Sequence, residues 1–351
     1  MKILITGENQ KNSLANTFAR AFGNLGCEPV IFDEGGLYRQ LFPGLKNKYT
    51  NRLFWRLFSS PLQKEFLAVA GKEKPDLILV LKGWYFCPKT ILKIKKELPQ
   101  TKIFCFNPDN PFNNWHFGAS NSWMIKSIPL YDAYFIWAKL LIAGIKKLGA
   151  QRVEYLPFGY DQKLHYPIKV SEEEQKIYGS DIAFIGSWDE SREEWLNRLL
   201  DYDLKIWGSA WQKVNKNLQQ KWQGREVVGE EFSKVCNSAK IILNIIRKQN
   251  FKYQGRNISS HNMRTFEVPA CGGFLLSVRT DEAKSFFEED REAAYFSSPE
   301  ELKEKIDFYL KNDGLRKQIA EAGYEKLKNS DYAYADRAKR IIEVFNHLKN
   351  D

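Results

Sequence analysis

Short apolar runs alternate with helical segments along all 351 residues, and this alternation restricts the fold more than any other feature of the chain. The run from Asp76 to Leu81 is apolar after its first residue, as is typical of a parallel strand covered by helices on both faces. Comparable apolar or β-rich runs lie at 2–6, 29–32, 102–106, 133–136, 153–156, 182–185, 203–207, 227–228, 241–245 and 274–277. The pattern predicts an α/β protein with two doubly wound, Rossmann-like domains.

The apolar rhythm stops between Gly159 and Ser180, where Tyr166-Pro167 and the acidic run 172–174 precede the next strand. Such a change of composition marks a domain boundary. We therefore assign residues 1–165 to an N-terminal domain and 166–331 to a C-terminal domain. Beyond Ser298 the chain is expected to be helical, because Ser-Pro-Glu-Glu at this point is a helix start signal.

The apolar run at residues 1–6 is too short for a signal-peptide core or a membrane span, which predicts a cytoplasmic protein. Five widely spaced cysteines beside apolar residues suit reduced core thiols. The four histidines have no spacing typical of a metal site. Asp201-Tyr202-Asp203 has the form of a metal-binding Asp-x-Asp motif, but it precedes a predicted strand instead of following one. No metal is therefore expected.

The formal net charge of +10 requires an explanation. Nucleic acid, an anionic membrane surface and polyanionic small molecules are the three classes of partner that such a charge attracts. The densest basic and aromatic stretch runs from Tyr38 to Lys64. It is either a helix that packs its apolar face on a sheet or a peripheral contact with an anionic membrane that presents an acceptor. No nucleic-acid-binding motif is present, so nucleic acid is not expected as a partner.

Residues 262–277 form the segment with the clearest chemistry. The sequence predicts a loop that opens a short helix near Arg264, ends at Gly272-Gly273 and continues into an apolar strand. Free amide N–H groups and the dipole at such a helix start favour an anion. Arg264 can bind a pyrophosphate, while Glu267 can accept hydrogen bonds from ribose hydroxyls. The alternative is an ordinary i, i+3 surface ion pair.

This segment resembles the R-x-F-E-x-x-A-C-G-G-x-L-L signature of group-1 glycosyltransferases, in particular the branch of spore-maturation glycosyltransferase-like proteins. Other segments of the chain match the family in the same order: 131–135, 155–161, 183–187, 206–208 and 241–244. The resemblance covers nearly the whole chain, although residues before about 75 match only in outline.

The resemblance implies a GT-B fold, in which two Rossmann-like domains face a cleft and a final helix, here 332–351, packs back on the first domain. It also implies transfer of a sugar from a nucleotide-diphosphate sugar to a glycan, lipid-linked or protein acceptor. Such enzymes need no cofactor or metal, and the group-1 branch retains the anomeric configuration.

Residues that directly follow strands are the predicted contacts, because ligands of open α/β sheets bind outside the carboxyl ends of the strands. In the C-terminal domain the candidates for donor binding are Gly186, Ser187, Arg192 and Gly208. Gly7 takes the equivalent place in the N-terminal domain, without a Gly-x-Gly-x-x-Gly fingerprint or a P-loop. Each glycine has the alternative role of turning the chain.

The sequence departs from the family at one catalytic position. The family places a glutamate eight residues before Glu267, where this chain has Ser259. Ser260, His261 or Asn262 are the candidates to replace it at the sugar, and Met263 completes the predicted donor segment.

Asp109 follows a predicted strand between two prolines and is the candidate general base if the reaction inverts the anomeric carbon. Its alternative role is an Asx turn. The sequence thus predicts a glycosyltransferase with Arg264, Glu267 and Asp109 as its chemical residues. Two rivals stay open: a sugar-nucleotide epimerase on the same fold, and a basic docking protein with a degenerate donor site.

Overall fold

A computed structural model describes residues 1–41, 59–113, 120–247, 252–253, 256–257 and 260–350. It divides into two compact units. Unit 1 comprises residues 1–157, 253–255 and 334–351, and unit 2 comprises residues 158–252 and 256–333. The sequence placed the first change of domain at 165 and 166, and the return at 332. The observed change comes earlier because β6 (Val153–Tyr155) ends the first sheet, after which the N–H of Phe158 bonds to His261 of unit 2.

Unit 1 is a six-stranded parallel sheet in the order β2-β1-β3-β4-β5-β6. Its other strands are β1 (Lys2–Gly7), β2 (Glu28–Asp33), β3 (Leu77–Leu81), β4 (Lys102–Asn107) and β5 (Ala133–Ile136). Its helices are α1 (Leu14–Asn24), α2 (Glu34–Leu41), α3 (Ser60–Glu73), α4 (Pro88–Glu97), α5 (Ser122–Ser127), α6 (Ile142–Lys147) and α15 (Tyr334–Asn350). The last helix packs on α1, where the ring of Tyr334 meets Phe18 edge-on. All five residues of β3 are buried, as expected for a central strand.

Unit 2 is a five-stranded parallel sheet in the order β13-β12-β9-β7-β8. Its strands are β7 (Ser180–Ile185), β8 (Leu204–Trp207), β9 (Ala239–Asn244), β12 (Leu275–Val278) and β13 (Ala294–Phe296). Its helices are α7 (Glu172–Tyr178), α8 (Glu190–Leu196), α9 (Lys216–Lys221), α10 (Glu230–Ser238), α11 (Arg264–Ala270), α12 (Asp281–Phe286), α13 (Pro299–Lys311) and α14 (Asp313–Lys328). Two further strands of two residues each are β10 (Lys252–Tyr253) and β11 (Arg256–Asn257).

The prediction of parallel sheets is confirmed, with one strand misplaced. The predicted strand at 227–228 is wrong: Val227 is buried in a loop, whereas Val228 is 48% exposed just before Gly229. The sequence did not reveal β13, whose three residues pair with β12 at the sheet edge, nor the two short strands β10 and β11. Two apolar residues alone cannot distinguish a strand from a buried loop.

Candidate functional site

Helix α11 has the local structure that its sequence predicts. It begins at Arg264, ends at Ala270 and leads through two glycines into β12. The N–H of Gly272 donates to Pro269 over 2.9 Å, and that of Gly273 donates to Val268 over 3.1 Å. This is the Schellman arrangement, and Gly272 has the positive φ of 73° that it requires. The glycine pair therefore fixes the direction in which the chain enters the strand.

Three amide groups in the first turn of α11 are already bonded within the chain, which leaves fewer for an anion than the prediction assumed. Met263 already has helical angles, so the turn begins one residue early. The N–H groups of Phe266 and Glu267 both donate to Met263 over 3.0 Å, and that of Thr265 donates to Asn262 over 3.2 Å. An anion at this end of the helix would therefore be bound mainly by a side chain.

Arg264 is the cation that lies at this position. Its Nε donates to the carbonyl of Ile185, the last residue of β7, over 3.1 Å. The guanidinium lies over the ring of Phe232 on α10, 4.7 Å from the centroid, and its Nη1 donates to the carboxylate of Glu267. About a quarter of the side chain, 27%, is exposed. These contacts hold the guanidinium at the carboxyl end of β7, with part of it exposed.

Glu267 is a buried carboxylate with two neighbours. Its Oε2 accepts from Arg264, and its Oε1 lies 3.7 Å from Nε2 of His165. Only 8% of its side chain is exposed. Because an unpaired buried carboxylate would cost several kcal/mol, these two neighbours stabilise its charged form.

His165 is a site residue that the sequence did not single out. Its Nδ1 accepts the backbone N–H of Asp161 over 3.2 Å, which places the proton of the neutral ring on Nε2, facing Glu267. Burial lowers the pKa of His165, and Arg264 lowers it further, while Glu267 and Asp161 act in the opposite direction. The ring also meets Phe232 edge-on, so Phe232 supports both His165 and Arg264.

Gly208 is required by a close approach between two strand ends. A Cβ at Gly208 would lie 2.0 Å from the carbonyl oxygen of Gly186, and the φ of Gly208 is 153°. A Cβ at Gly186 would lie 3.1 Å from the ring of Phe184 and 3.2 Å from Arg192. Ser187 lies beside this crossing and accepts a hydrogen bond from the Ser209 hydroxyl over 3.1 Å. Both glycines therefore have a packing role, whatever ligand the site binds.

Arg192 is more deeply buried than we expect of a residue that contacts a diphosphate directly. It is 8% exposed. Its Nε donates to the carbonyl of Ile245 over 3.0 Å, and its Nη1 donates to that of Ser187 over 2.8 Å. Burial lowers the pKa of Arg192 to about 9, helped by the positive charges of Arg247 and Arg264. Arg192 thus links the chain just after β7 to the chain just after β9. Its buried charge adds to the positive potential at these strand ends.

The residues before α11 divide into two groups. His261 is fully buried: its Nε2 accepts the N–H of Phe158, and its Nδ1 lies 3.0 Å from Glu282. Ser260 is also buried. Both side chains are buried in the core of unit 2. Neither is therefore placed to contact a sugar, which corrects the prediction. Ser259 lies outside the described residues.

The side chain of Asn262 contacts the carboxyl end of β9. Its Nδ2 donates to Oδ1 of Asn244 over 2.8 Å, and Asn244 donates to the hydroxyl of Ser277 over 3.0 Å. Within the described ranges, the buried Oδ1 of Asn262 has no hydrogen-bond partner. Met263 is 41% exposed and contributes its backbone to the turn. Asn262 is thus the polar residue of this segment with an acceptor left open.

In unit 1, Asp109 lies at the carboxyl ends of β3 and β4. Its carboxylate pairs with the ammonium group of Lys82, and both side chains are about a quarter exposed, at 24% and 27%. Asx turns occur in this segment, but they are made by Asn107 and Asn110, which accept the N–H groups of Asp109 and Phe112 over 3.0 Å each. Among the described residues, the Asp109 carboxylate is paired with Lys82 and is not used by an Asx turn.

Two other residues at this edge are buried. A Cβ at Gly7 would lie 2.9 Å from that of Ala15, so Gly7 lets α1 approach β1. Glu34, which the sequence did not single out, begins α2 and is 6% exposed. Burial raises the pKa of Glu34 to about 8, although a hydrogen bond to Thr6 and the charge of Lys82 act in the opposite direction. Glu34 is thus mostly a neutral acid at neutral pH.

Over the described part of the chain, no helix is both long and apolar enough to cross a membrane. The same residues contain no group of three His, Cys, Asp or Glu side chains suited to a metal ion. All five cysteines are free. Most of the basic and aromatic stretch between Tyr38 and Lys64, namely 42–58, lies outside the described residues.

The protein thus has two parallel sheets. At the strand ends of unit 2 it places two arginines and a buried carboxylate. Residues 191–343, a little under half of the chain, match the family described as glycosyl transferase-like. No curated protein sequence matches the chain.

Three solved structures share the fold over nearly the whole chain. Sucrose-phosphate synthase from Thermosynechococcus elongatus has a TM-score of 0.69 at 11% identity, covering 99% of each chain. HepE from Anabaena, in complex with UDP-glucose, has a TM-score of 0.64 at 12% identity, covering 99% of this chain and 100% of its own. A putative UDP-N-acetylglucosamine 2-epimerase from Listeria monocytogenes has a TM-score of 0.58 at 12% identity, covering 100% and 97%. The chain therefore has the GT-B fold, and the family match supports a group-1 glycosyltransferase. The spore-maturation branch stays a prediction.

Proposed function

We propose that this protein is a glycosyltransferase that binds a nucleotide-diphosphate sugar at the carboxyl ends of the unit 2 strands. The observation that carries the proposal is the placement of Arg264. A partly exposed guanidinium is anchored to the end of β7 and lies beside a buried carboxylate, within the segment that matches the glycosyl transferase-like family. A sugar nucleotide offers a diphosphate to the first group and ribose hydroxyls to the second.

Arg264 would stabilise the charge that develops on the departing diphosphate. A hydrogen-bond-donating group that is already oriented and partly desolvated stabilises this charge without reorganisation during the reaction. Arg192 adds to the positive field from its buried position, 8% exposed, behind the strand ends. In this proposal the reaction retains the anomeric configuration and needs no metal. Glu267 would hold the ribose and so fix the nucleotide in register.

Calorimetric titration of UDP, GDP, dTDP and ADP tests the proposal. We expect UDP to bind best, because HepE, which shares the fold, was solved with UDP-glucose. The substitution Glu267→Gln should weaken binding roughly tenfold or more, since a hydrogen bond to a charged group contributes about 1.5–3 kcal/mol. Glu288→Gln is the matched control, because Glu288 forms an exposed i, i+3 pair with Arg291. If no nucleotide binds, the docking protein with a degenerate site becomes the better description.

Asp109 is the predicted general base only if the reaction inverts the anomeric configuration. If the enzyme retains configuration, attack takes place on the face of the leaving group, and no strong base is needed in unit 1. We therefore expect Asp109→Asn to leave the affinity for UDP unchanged and to reduce turnover by less than about tenfold, well below the 10²–10⁴-fold that general bases contribute. Single-turnover kinetics with the identified sugar donor measure this. A loss of a hundredfold or more would show that Asp109 is the base and would favour inversion.

The epimerase is the second candidate, because an epimerase from Listeria monocytogenes has the same fold. An epimerase converts its sugar nucleotide in the absence of an acceptor, whereas a transferase releases the nucleotide only slowly by hydrolysis. Incubation of the protein with UDP-N-acetylglucosamine alone, followed by NMR of the sugar ring, distinguishes the two. A change of configuration at the ring without an acceptor would favour the epimerase.

A further inference from the structure

His165 packs edge-on against Phe232, but this contact does not explain the direction in which its Nε2 points. It follows the Asp161 turn, and its side chain is 10% exposed. A buried histidine normally has partners for both ring nitrogens. Here Nδ1 accepts the N–H of Asp161 over 3.2 Å, while Nε2 points at Oε1 of Glu267 over 3.7 Å. The second distance is longer than a hydrogen bond, so Nε2 faces Oε1 across a charge–dipole contact.

The backbone N–H of Asp161 determines which ring nitrogen of His165 carries the proton. A ring nitrogen that accepts a hydrogen bond cannot bear a proton, so the neutral ring has its proton on Nε2. A second proton on Nδ1 would face the N–H of Asp161. Burial and the charge of Arg264 also lower the pKa of His165, whereas Glu267 and Asp161 raise it. His165 is therefore a neutral donor at neutral pH, with a fixed direction toward Glu267.

Glu267 is held from two sides. Arg264 binds Oε2, and His165 faces Oε1. The ring of Phe232 contacts both of these residues: its centroid lies 4.7 Å from the guanidinium carbon of Arg264 and 5.3 Å from the ring centroid of His165. A carboxylate has about four acceptor directions, so two remain for a ligand after these contacts. Two fixed donors would set the plane of the carboxylate and so the direction of the remaining two.

We propose that His165 is a positioning residue that holds the second oxygen of Glu267 and thereby orients this carboxylate toward the ribose hydroxyls of the nucleotide. The inference rests on the proposed function of Glu267 and adds a residue to it. In this proposal the Nε2–H of His165, 3.7 Å from Oε1 here, is the donor that this oxygen faces when Glu267 binds the ribose. His165 does not touch the ligand and takes no part in the bond-making steps.

Two isosteric substitutions test the role. The amide nitrogen of glutamine takes the place of Nε2, whereas that of asparagine takes the place of Nδ1. With UDP as the probe, we expect His165→Asn to weaken binding roughly tenfold, as for the loss of one hydrogen bond to a charged group. His165→Gln should stay within about threefold of the wild type. Thermal unfolding of both variants shows that each is folded.

The 2′,3′-dideoxy analogue of UDP separates positioning from a general structural role. Since the analogue lacks the hydroxyl groups that Glu267 would bind, His165→Asn should leave its affinity unchanged. An equal loss for UDP and for the analogue, or equal losses in the Asn and Gln variants, would overturn the inference while the proposed function stands. If wild-type protein binds none of the tested nucleotides, the proposed function fails as well.

The pH dependence gives an independent check. Because the pKa of His165 lies below its usual value, the ring is neutral at pH 7. As the pH falls through the lowered pKa, a proton on Nδ1 removes the acceptor of the Asp161 N–H and so the bond that fixes the ring, although Nε2 keeps its own proton. The affinity of wild-type protein for UDP should therefore be constant from pH 7 to 8. In His165→Gln any fall of affinity on acidification that comes from His165 should disappear. A fall of equal size in this variant would contradict the assignment.

Discussion

Replacing Arg264 with alanine should weaken UDP binding by roughly 10- to 150-fold. Hydrogen bonds to charged groups contribute about 1.5–3 kcal/mol each, which corresponds to this range. Arg264 is pre-oriented by the carbonyl of Ile185 and by the ring of Phe232, so little side-chain entropy is lost when a diphosphate binds. Turnover should fall further than affinity, because charge on the diphosphate grows in the transition state. Calorimetry and single-turnover kinetics measure the two effects separately.

The same substitution removes the cation beside Glu267. The 8% exposure of that carboxylate means that it would lose most of its compensation. We expect a loss of stability of about 1–3 kcal/mol, smaller than for a fully buried pair because a quarter of Arg264 is exposed to solvent. Arg264→Lys should be intermediate, since lysine keeps the charge but loses the planar fork that reaches Ile185 and Glu267 together.

Arg291→Ala is the matched control. Arg291 forms an ion pair with Glu288 at the same i, i+3 separation, but the two side chains are 72% and 61% exposed. Exposed pairs contribute about 0–1 kcal/mol, so this variant should bind UDP like the wild type and unfold at nearly the same denaturant concentration. Equal effects at Arg264 and Arg291 would mean that the pair on α11 is an ordinary surface ion pair after all.

Gly208→Ala should destabilise unit 2 by about 3 kcal/mol or more. The added Cβ would lie 2.0 Å from the carbonyl oxygen of Gly186 and 2.5 Å from its carbonyl carbon, and these backbone atoms cannot rotate away. Overpacking of this kind costs about 1–3 kcal/mol, and an L-residue at a strongly positive φ adds about 1–2 kcal/mol. The result should be a lower midpoint in denaturant unfolding, together with loss of UDP binding as the ends of β7 and β8 move apart.

Gly224→Ala separates the two causes. Gly224 also has a positive φ, 77°, but nothing lies within 4 Å of the added Cβ. Gly224→Ala should therefore lose only the stability that the positive φ costs an L-residue, about 1–2 kcal/mol. If the two variants unfold at the same denaturant concentration, the close approach at Gly208 is relieved by a small movement, and the clash does not decide its stability.

Local features of the sequence were predicted well when neighbouring residues determine them. The helix, glycine pair and strand from Arg264 to Val278 form as expected, because the Schellman bonds join residues no more than five apart. Helix α13 begins after Ser298, whose hydroxyl accepts from Glu301 over 3.1 Å. Helix α7 was missed, although Ser171 and Glu174 form a capping box that the sequence shows.

The site was predicted less well because it depends on residues far apart in the chain. Nothing near Arg264 indicates that its Nε meets Ile185, 79 positions away. His261 seemed suited to a sugar contact, but Phe158, 103 positions away, uses its Nε2 in the core. No local pattern distinguished His165 from a surface histidine.

The sequence by itself determined the alternation of strands and helices, the parallel sheets and the segment that carries Arg264 and Glu267. These follow from hydrophobic period and from hydrogen bonds between near neighbours. The tertiary structure decided that Arg192 is buried and that His165 faces Glu267. The physical reason is that burial and side-chain partners depend on which strand ends and helices pack together, and this packing is a property of the whole unit.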